Sequence, residues 1–237
     1  LLRWALPLGL LVLVAMLVWH GVDSFDLPQL QRTLLAVPTL PAIGVALLAL
    51  ASVAFTGLID LLIARWLALP IGMREMLRLS FVANALANAL NLYGTLGSGV
   101  RLLGLGARGI ELGRSAALIG LQVLSLPLGL SVLVILTLAT GSRPITPGTT
   151  THWLAMALLI AAACYLPAFH FITAQRRFMR WLPAGCGLPP LRLKLALTVL
   201  SFIDWLLSAA VLYGCLYLSG VHVKVGPLLG SFAAAQT

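Results

Sequence analysis

Residues 42–67 read AIGVALLALASVAFTGLIDLLIARWL, an apolar run closed by Arg65 and Trp66 and interrupted by a single acid, Asp60. The hydrocarbon core of a bilayer, about 30 Å thick, needs roughly 20 apolar residues per helix. This run exceeds that length, and a tryptophan beside an arginine is the pair that a membrane interface collects. The whole chain agrees with it. Of 237 residues, 61% are hydrophobic and 9% charged, and the mean hydropathy is +1.06. A soluble domain carries roughly 25% charged residues. Six acids and fifteen bases cannot cover a water-soluble fold of this size, so the apolar surface must face lipid.

Working outward, four more apolar runs have spanning character: Trp4 to Trp19, Ala116 to about Thr137, Trp153 to about Phe171, and Leu195 to Leu218. Another opens at Leu228. The expectation is an all-α polytopic membrane protein with about six spanning helices. The Pro/Gly/Thr stretch from Gly141 to Thr150 reads as a loop, and no tandem repeat is visible. The net charge of +9 comes from short basic clusters between apolar runs, without interleaved aromatics or a nucleic-acid motif. Cytoplasmic retention of Arg and Lys and anionic lipid headgroups account for it better than nucleic acid does. Cys164, Cys186 and Cys215 are odd in number and lack CxxC spacing, so neither a metal site nor a disulfide is expected. The first apolar run has no small-residue cleavage pattern and does not read as a signal peptide. Because the chain opens on Leu1 and stops as a new apolar run begins, it is expected to be part of a longer protein.

Phe81 to Tyr93 is harder to place. It has helical periodicity but carries Asn84, Asn88 and Asn91, then runs into Gly94, Gly97 and Gly99. Charge decides between crossing and re-entry. If the segment crosses, the fifteen bases divide almost evenly between the two sides. If residues around 80–100 dip in and return to the same side, all but Arg32, Arg143 and Lys224 lie on the side of Arg3. The positive-inside preference therefore favours a re-entrant helical segment, which at membrane depth must be lined by protein or a water-filled cavity.

Asn84, Asn88 and Asn91 fall at i, i+4 and i+7, on one helical face, and Ser80 extends the stripe. Helix-to-helix hydrogen bonding in lipid is the plain explanation, and a polar lining for a lipid headgroup is the functional one. In Gly94-Thr-Leu-Gly-Ser-Gly-Val-Arg101 the glycines could turn backbone amides toward an anion beside the arginine fork. A tight turn ending in an interfacial arginine explains the same residues. No Lys-Ser/Thr follows and no strand precedes, so this is neither a P-loop nor a dinucleotide turn. Asp60 and Asp204 lie inside apolar runs, where a charge costs at least about 2.5–3.5 kcal/mol and marks function unless a structural ion pair accounts for it. Arg65 follows Asp60 by five residues, and Ser201 and Ser208 share the face of Asp204. Gln122 and Ser125 read as packing groups, and the four histidines as interfacial. No nucleophile–base pair, zinc spacing or paired carboxylates occur, so no catalytic site, cofactor or metal is expected in this chain.

Ile59-Asp60-Leu-Leu-Ile-Ala-Arg65, Ser80-Phe-Val-Ala-Asn84 and Gly94-Thr-Leu-Gly-Ser-Gly-Val-Arg101 together resemble a bacterial family. It is that of the multiple peptide resistance factors, the aminoacyl-phosphatidylglycerol flippase/synthetases. The likeness runs from about Ala42 to Leu121. It implies that residues 1–237 belong to a transmembrane lipid-flippase domain of the bacterial inner membrane. That domain would move aminoacylated phosphatidylglycerol, such as lysyl-phosphatidylglycerol, to the outer leaflet and so confer resistance to cationic antimicrobial peptides. The family also implies a cytoplasmic synthetase domain using aminoacyl-tRNA, absent from this chain, and is compatible with a homo-oligomer. Its flipping aspartate and arginine fall on Asp60 and Arg101, with Asp204 a looser counterpart.

The substrate pathway expected from these readings comprises Asp60, Arg65, Asn84, Asn88, Asn91, Gly97, Gly99, Arg101 and Asp204. Arg101 would hold the lipid phosphate, and Asp60 or Asp204 would balance the cationic aminoacyl group. Two rival functions remain open. One is a platform delivering phosphatidylglycerol to an attached aminoacyltransferase; the other is an ion-coupled small-solute transporter.

Overall fold

The computed structural model describes residues 37–89, 95–140 and 150–236. The chain divides into two compact units, Leu1–Ala42 and Ile43–Thr237. Only residues 37–42 of the first are described, so the Trp4–Trp19 run lies outside the described residues, as do Asn91 and most of the loop expected at 141–150.

The second unit is helical throughout its described residues. In chain order it contains α1 (Thr39–Trp66, entered from the first unit), α2 (Met73–Ala89), α3 (Thr95–Gly106), α4 (Leu112–Ala139) and α5 (Thr150–Ile172). A short 3₁₀ turn, Arg176–Trp181, then leads to α6 (Leu191–Leu218) and α7 (Val225–Ala235). Among the described residues three helices, α1, α4 and α6, each 28 residues, are long and apolar enough to cross a bilayer. That is fewer than the about six spans expected from hydropathy. The Trp4–Trp19 run lies outside the described residues, and the apolar part of α5, Met156–Ile172, is short of roughly 20.

The ends of α1, α3 and α6 are closed by the same device. After α1, Ala68 takes a left-handed φ of 50°, with Leu69 N–H bonded to Ala64 O at 2.9 Å and Ala68 N–H to Arg65 O at 3.1 Å. Gly109 and Gly220 occupy the equivalent left-handed position after α3 and α6. Each is a Schellman cap, which satisfies otherwise orphaned carbonyls. Glycine adopts this backbone without the steric cost that Ala68 bears.

Packing has two apolar layers. One joins Ile59, Ile63 and Leu67 at the end of α1 with Met76, Leu105, Leu118, Leu121, Phe169 and Leu197. The other joins Leu133 and Val134 of α4 with Leu159, Ala209, Phe232 and Ala233. The C-terminal part of α1 thus meets the N-terminal parts of α4 and α6, and α1 runs antiparallel to both. Helices α2 and α3 form an antiparallel hairpin, with Gly97 against Ala83 and Ala87, and Gly104 against Leu79. The hairpin starts and finishes at one end of the bundle, because Leu69, Met76, Leu105 and Ile110 share the first layer.

Helix α4 is the centre of the packing, touching α3, α5, α6 and α7. Its buried face is dotted with small polar residues, Ser115, Ser125, Gly129, Ser131 and Thr137. Small residues let membrane helices approach closely. At Gly129 the approach reaches its limit, since a Cβ there would overlap the Ser201–Phe202 peptide. Pro127 withholds the backbone donor that Val123 O would take, and beside it α6 bonds directly to the backbone of α4. Ser201 Oγ donates to Leu126 O at 2.6 Å and accepts Gly129 N–H at 3.0 Å. Trp205 Nε1 donates to the same carbonyl at 2.8 Å.

Candidate functional site: a polar cavity at mid-helix

Between the two apolar layers lies a cavity of about 250 Å³ contributed to by α1, α2, α3, α4 and α6. Ser52, Thr56, Asn84, Asn88, Ser98, Arg101, Gln122 and Asp204 supply its polar lining. Ser52 stands near the middle of α1, Leu126 of α4 and Asp204 of α6, so the cavity sits at the mid-level of the three long helices. Each spans about 42 Å at 1.5 Å per residue, which puts these groups roughly 20 Å from either end.

Arg101 enters the cavity from α3 with its guanidinium tethered. Nε donates to Asp60 Oδ2 at 2.7 Å, the one ion pair among the described residues. Nη2 donates to Asn84 Oδ1 at 2.7 Å. Nη1 has no hydrogen-bond partner among the described residues. The local sequence explains how the arginine reaches so far. Gly97 lies one helical turn earlier on the same face, and the place of its missing Cβ is 3.1 Å from Nη1 and from Ala83 O. A side chain at 97 would push the guanidinium or the whole hairpin aside.

Asp60 is fully buried behind Arg101 and does not line the cavity. Among the described residues its second oxygen, Oδ1, makes no well-formed hydrogen bond, and neither do Ser80 Oγ and Asn84 Nδ2, although the Ser80 hydroxyl stands close to the carboxylate. The aspartate acts on the cavity only through the arginine it orients and neutralises. Asp204 is placed differently. It is half-buried and faces the cavity, with Ser52 Oγ donating to Oδ1 at 2.6 Å and Thr56 Oγ1 at 3.3 Å. Ser208 Oγ, at 3.4 Å from Ser52 Oγ, extends the hydroxyl cluster. Both bonds fall on Oδ1, so Oδ2 is uncommitted. Among the residues lining the cavity, Asp204 is the one acid.

Of the residues picked from the sequence, Asn84, Asn88, Arg101 and Asp204 meet in this cavity. Arg65 does not: it is exposed at the end of α1, with Nη2 3.5 Å from Met73 Sδ. Gly97 and Gly99 are also not the anion-binding turn anticipated for them. Both lie within the helix α3, in its first turns, and neither has positive φ. The glycines serve packing at 97, while a Cβ at 99 would meet nothing. Ser201, read as a companion of Asp204, faces α4 instead.

The chain is 24% identical over 240 residues to a protein of Staphylococcus xylosus named phosphatidylglycerol lysyltransferase, covering 99% of this chain and 27% of that protein. It is 26% identical over 191 residues to the protein of the same name from Staphylococcus aureus strain MRSA252, covering 78% of this chain and 21% of the relative. This chain is a distant relative of the phosphatidylglycerol lysyltransferases. It spans about a quarter of the length of those lysyltransferases. No protein-family model matches it, and no solved structure does.

Within this lysyltransferase-like chain, sequence reasoning overlooked Ser52 and Thr56, which hold Asp204. A signal was present: Ser52, Thr56 and Asp60 recur every fourth residue, a polar stripe along an otherwise apolar helix. The partnership of Asp60 with Arg101, 41 residues away, had no comparable local signal. Among the described residues, no group of His, Cys, Asp or Glu is arranged to hold a metal ion.

Proposed function

We propose that this chain is the membrane part of a lipid translocator that carries aminoacylated phosphatidylglycerol between the leaflets of a bacterial inner membrane. The carrying observation is the mid-helix cavity with one uncommitted guanidinium nitrogen, on Arg101, and one uncommitted carboxylate oxygen, on Asp204. An aminoacyl-phosphatidylglycerol headgroup has the complementary pair, a phosphate and an ammonium. The energetic obstacle to translocation is the passage of those charges through hydrocarbon, where an unpaired charge costs several kcal/mol. Arg101 Nη1 receives the phosphate, and Asp204 Oδ2 with the Ser52 and Thr56 hydroxyls receives the ammonium. Because Asp60 already neutralises Arg101, the cavity favours a headgroup carrying net positive charge, as a lysyl ester does.

The membrane arrangement that goes with this reading has the α2–α3 hairpin re-entrant. Arg65, Arg74, Arg78, Arg108, Arg114, Arg176, Arg177, Arg180 and Arg192 all belong to the end of the bundle where the hairpin opens. That end is the cytoplasmic one under the positive-inside preference. Any attached soluble synthetase using aminoacyl-tRNA would meet the membrane domain there, and export of the cationic lipid would lower the surface attraction for cationic antimicrobial peptides.

A second reading is favoured by the names of the relatives. The domain would then serve chiefly to present phosphatidylglycerol to an attached transferase. Leaflet-resolved labelling of aminoacyl lipid in cells separates the two. Under the translocation reading, Asp204→Asn leaves total aminoacyl lipid unchanged and lowers its outer-leaflet fraction. A fall in total lipid with an unaltered leaflet ratio would instead support the presenting role.

A further inference from the structure

A second and larger hollow lies on the side of the bundle, between α1 and α2, with a volume of about 600 Å³. Its walls are Val53, Phe55, Gly57 and Leu58 of α1 and Leu77, Phe81 and Val82 of α2, with Ala54 between them. Such a volume is within the range of roughly 300–1,000 Å³ typical of ligand pockets. The lining is apolar except at one extremity, where Arg74 and Arg78 stand one turn apart on α2. Both are exposed, and neither has an acidic partner among the described residues.

The direction of the groove carries the inference. Its basic extremity lies toward the end of the bundle where the hairpin opens, beside the C-terminal half of α1. The opposite extremity, Val53 and Phe81, reaches the mid-level of α1. A phospholipid of the basic-side leaflet has the same polarity along the bilayer normal, with headgroup at the interface and acyl chain toward the centre. We infer that this groove is a binding site for an anionic diacyl phospholipid, with its phosphate on Arg74 and Arg78 and one acyl chain between α1 and α2. A zwitterionic lipid fits the apolar walls equally well, so the two arginines alone make the site selective for net negative charge.

The groove also leads somewhere. Val53 and Phe81 line a second hollow of about 460 Å³ with Ser52, Asn88 and Ser208. Those three residues in turn line the polar cavity of Asp204. The lipid held here is therefore one step removed from the cavity and of opposite charge preference. The site goes beyond the translocation reading and does not depend on it.

The experiment uses the complete protein, reconstituted in vesicles containing either phosphatidylglycerol or phosphatidylcholine with a photoactivatable diazirine in the acyl chain. Crosslinked peptides are then mapped by mass spectrometry. Phosphatidylglycerol is expected to label residues 53–58 and 77–82 in clear excess over phosphatidylcholine. Arginines near a membrane surface favour anionic lipid by about fivefold each, so the paired change Arg74→Gln with Arg78→Gln should abolish most of that excess. Labelling by phosphatidylcholine should not change. Ala54→Trp, which fills the groove from an exposed position of α1, should reduce labelling by both probes. Equal labelling by the two lipids, or an excess that survives loss of both arginines, overturns the proposal and leaves the arginines as interfacial anchors. Failure of the leaflet assay with normal labelling here would sink the translocation reading alone.

Discussion

Replacing Asp60 by leucine removes the carboxylate behind Arg101 while roughly conserving volume. The pair is fully enclosed, with side-chain exposures of 3% for Arg101 and 0% for Asp60 and a separation of 2.7 Å. Removing one partner of a buried pair costs about 3–5 kcal/mol, because the other charge stays buried without compensation. In Asp60→Leu the guanidinium keeps only its bond to Asn84. In Arg101→Met the aspartate loses its cation and is left with only the nearby Ser80 hydroxyl. Each single variant is therefore expected to lose about 3 kcal/mol, a fall of roughly 6–12 °C in Tm for a chain of this size. The double variant, with an apolar pair of similar volume, should recover most of the loss. Thermal unfolding of the purified protein in detergent, followed by tryptophan fluorescence, measures the cycle. Two losses of about 3 kcal/mol that collapse to about 1–2 in the double variant amount to a coupling energy of about 4–5 kcal/mol, above the usual range of about 0.5–3. Losses that add to within about 0.5 kcal/mol would refute the pairing. The double variant also divides stability from function: it should fold yet fail to redistribute lipid, because the phosphate-facing Nη1 is gone.

Gly129→Leu should be among the most damaging single changes, since even a Cβ meets the Ser201–Phe202 peptide. A loss of at least about 1–3 kcal/mol by overpacking is expected in the same melt, and wild-type stability would mean that α4 and α6 are not so close. Cysteines placed at Arg74 and Arg108, on either side of the α2–α3 hairpin, should react with an impermeant thiol reagent from the same face of the membrane. Reaction from opposite faces would remove the re-entrant arrangement and the reason for a cavity beside it.

Hydropathy and length along the chain were enough to locate the long helices. The run read as Ala42–Leu67 is α1 at Thr39–Trp66, and the run read as Leu195–Leu218 is α6 at Leu191–Leu218. Burial of apolar surface and the bilayer thickness act on each segment separately, so a one-dimensional pattern suffices to place it. The four-residue spacing of Asn84 and Asn88 likewise put both on one helix face, and both line the cavity. The spacing did not say what lies opposite that face. Asp60 stands five residues from Arg65 in the chain, yet pairs with Arg101, because Arg65 ends up at the exposed end of α1 while the antiparallel hairpin carries Arg101 back to its buried C-terminal half. Gly97 and Gly99 have the composition of a turn, but the close approach of α2 and α3 uses Gly97 as a helical contact instead. Which polar groups meet depended on helix register and on which faces pack, and those are settled by contacts between segments distant in sequence. The sequence alone determined a helical membrane protein with costly polar groups inside it. Only the tertiary structure decided that Asp60 is consumed in orienting Arg101 while Asp204 keeps an oxygen free, since both residues look alike until their neighbours are known.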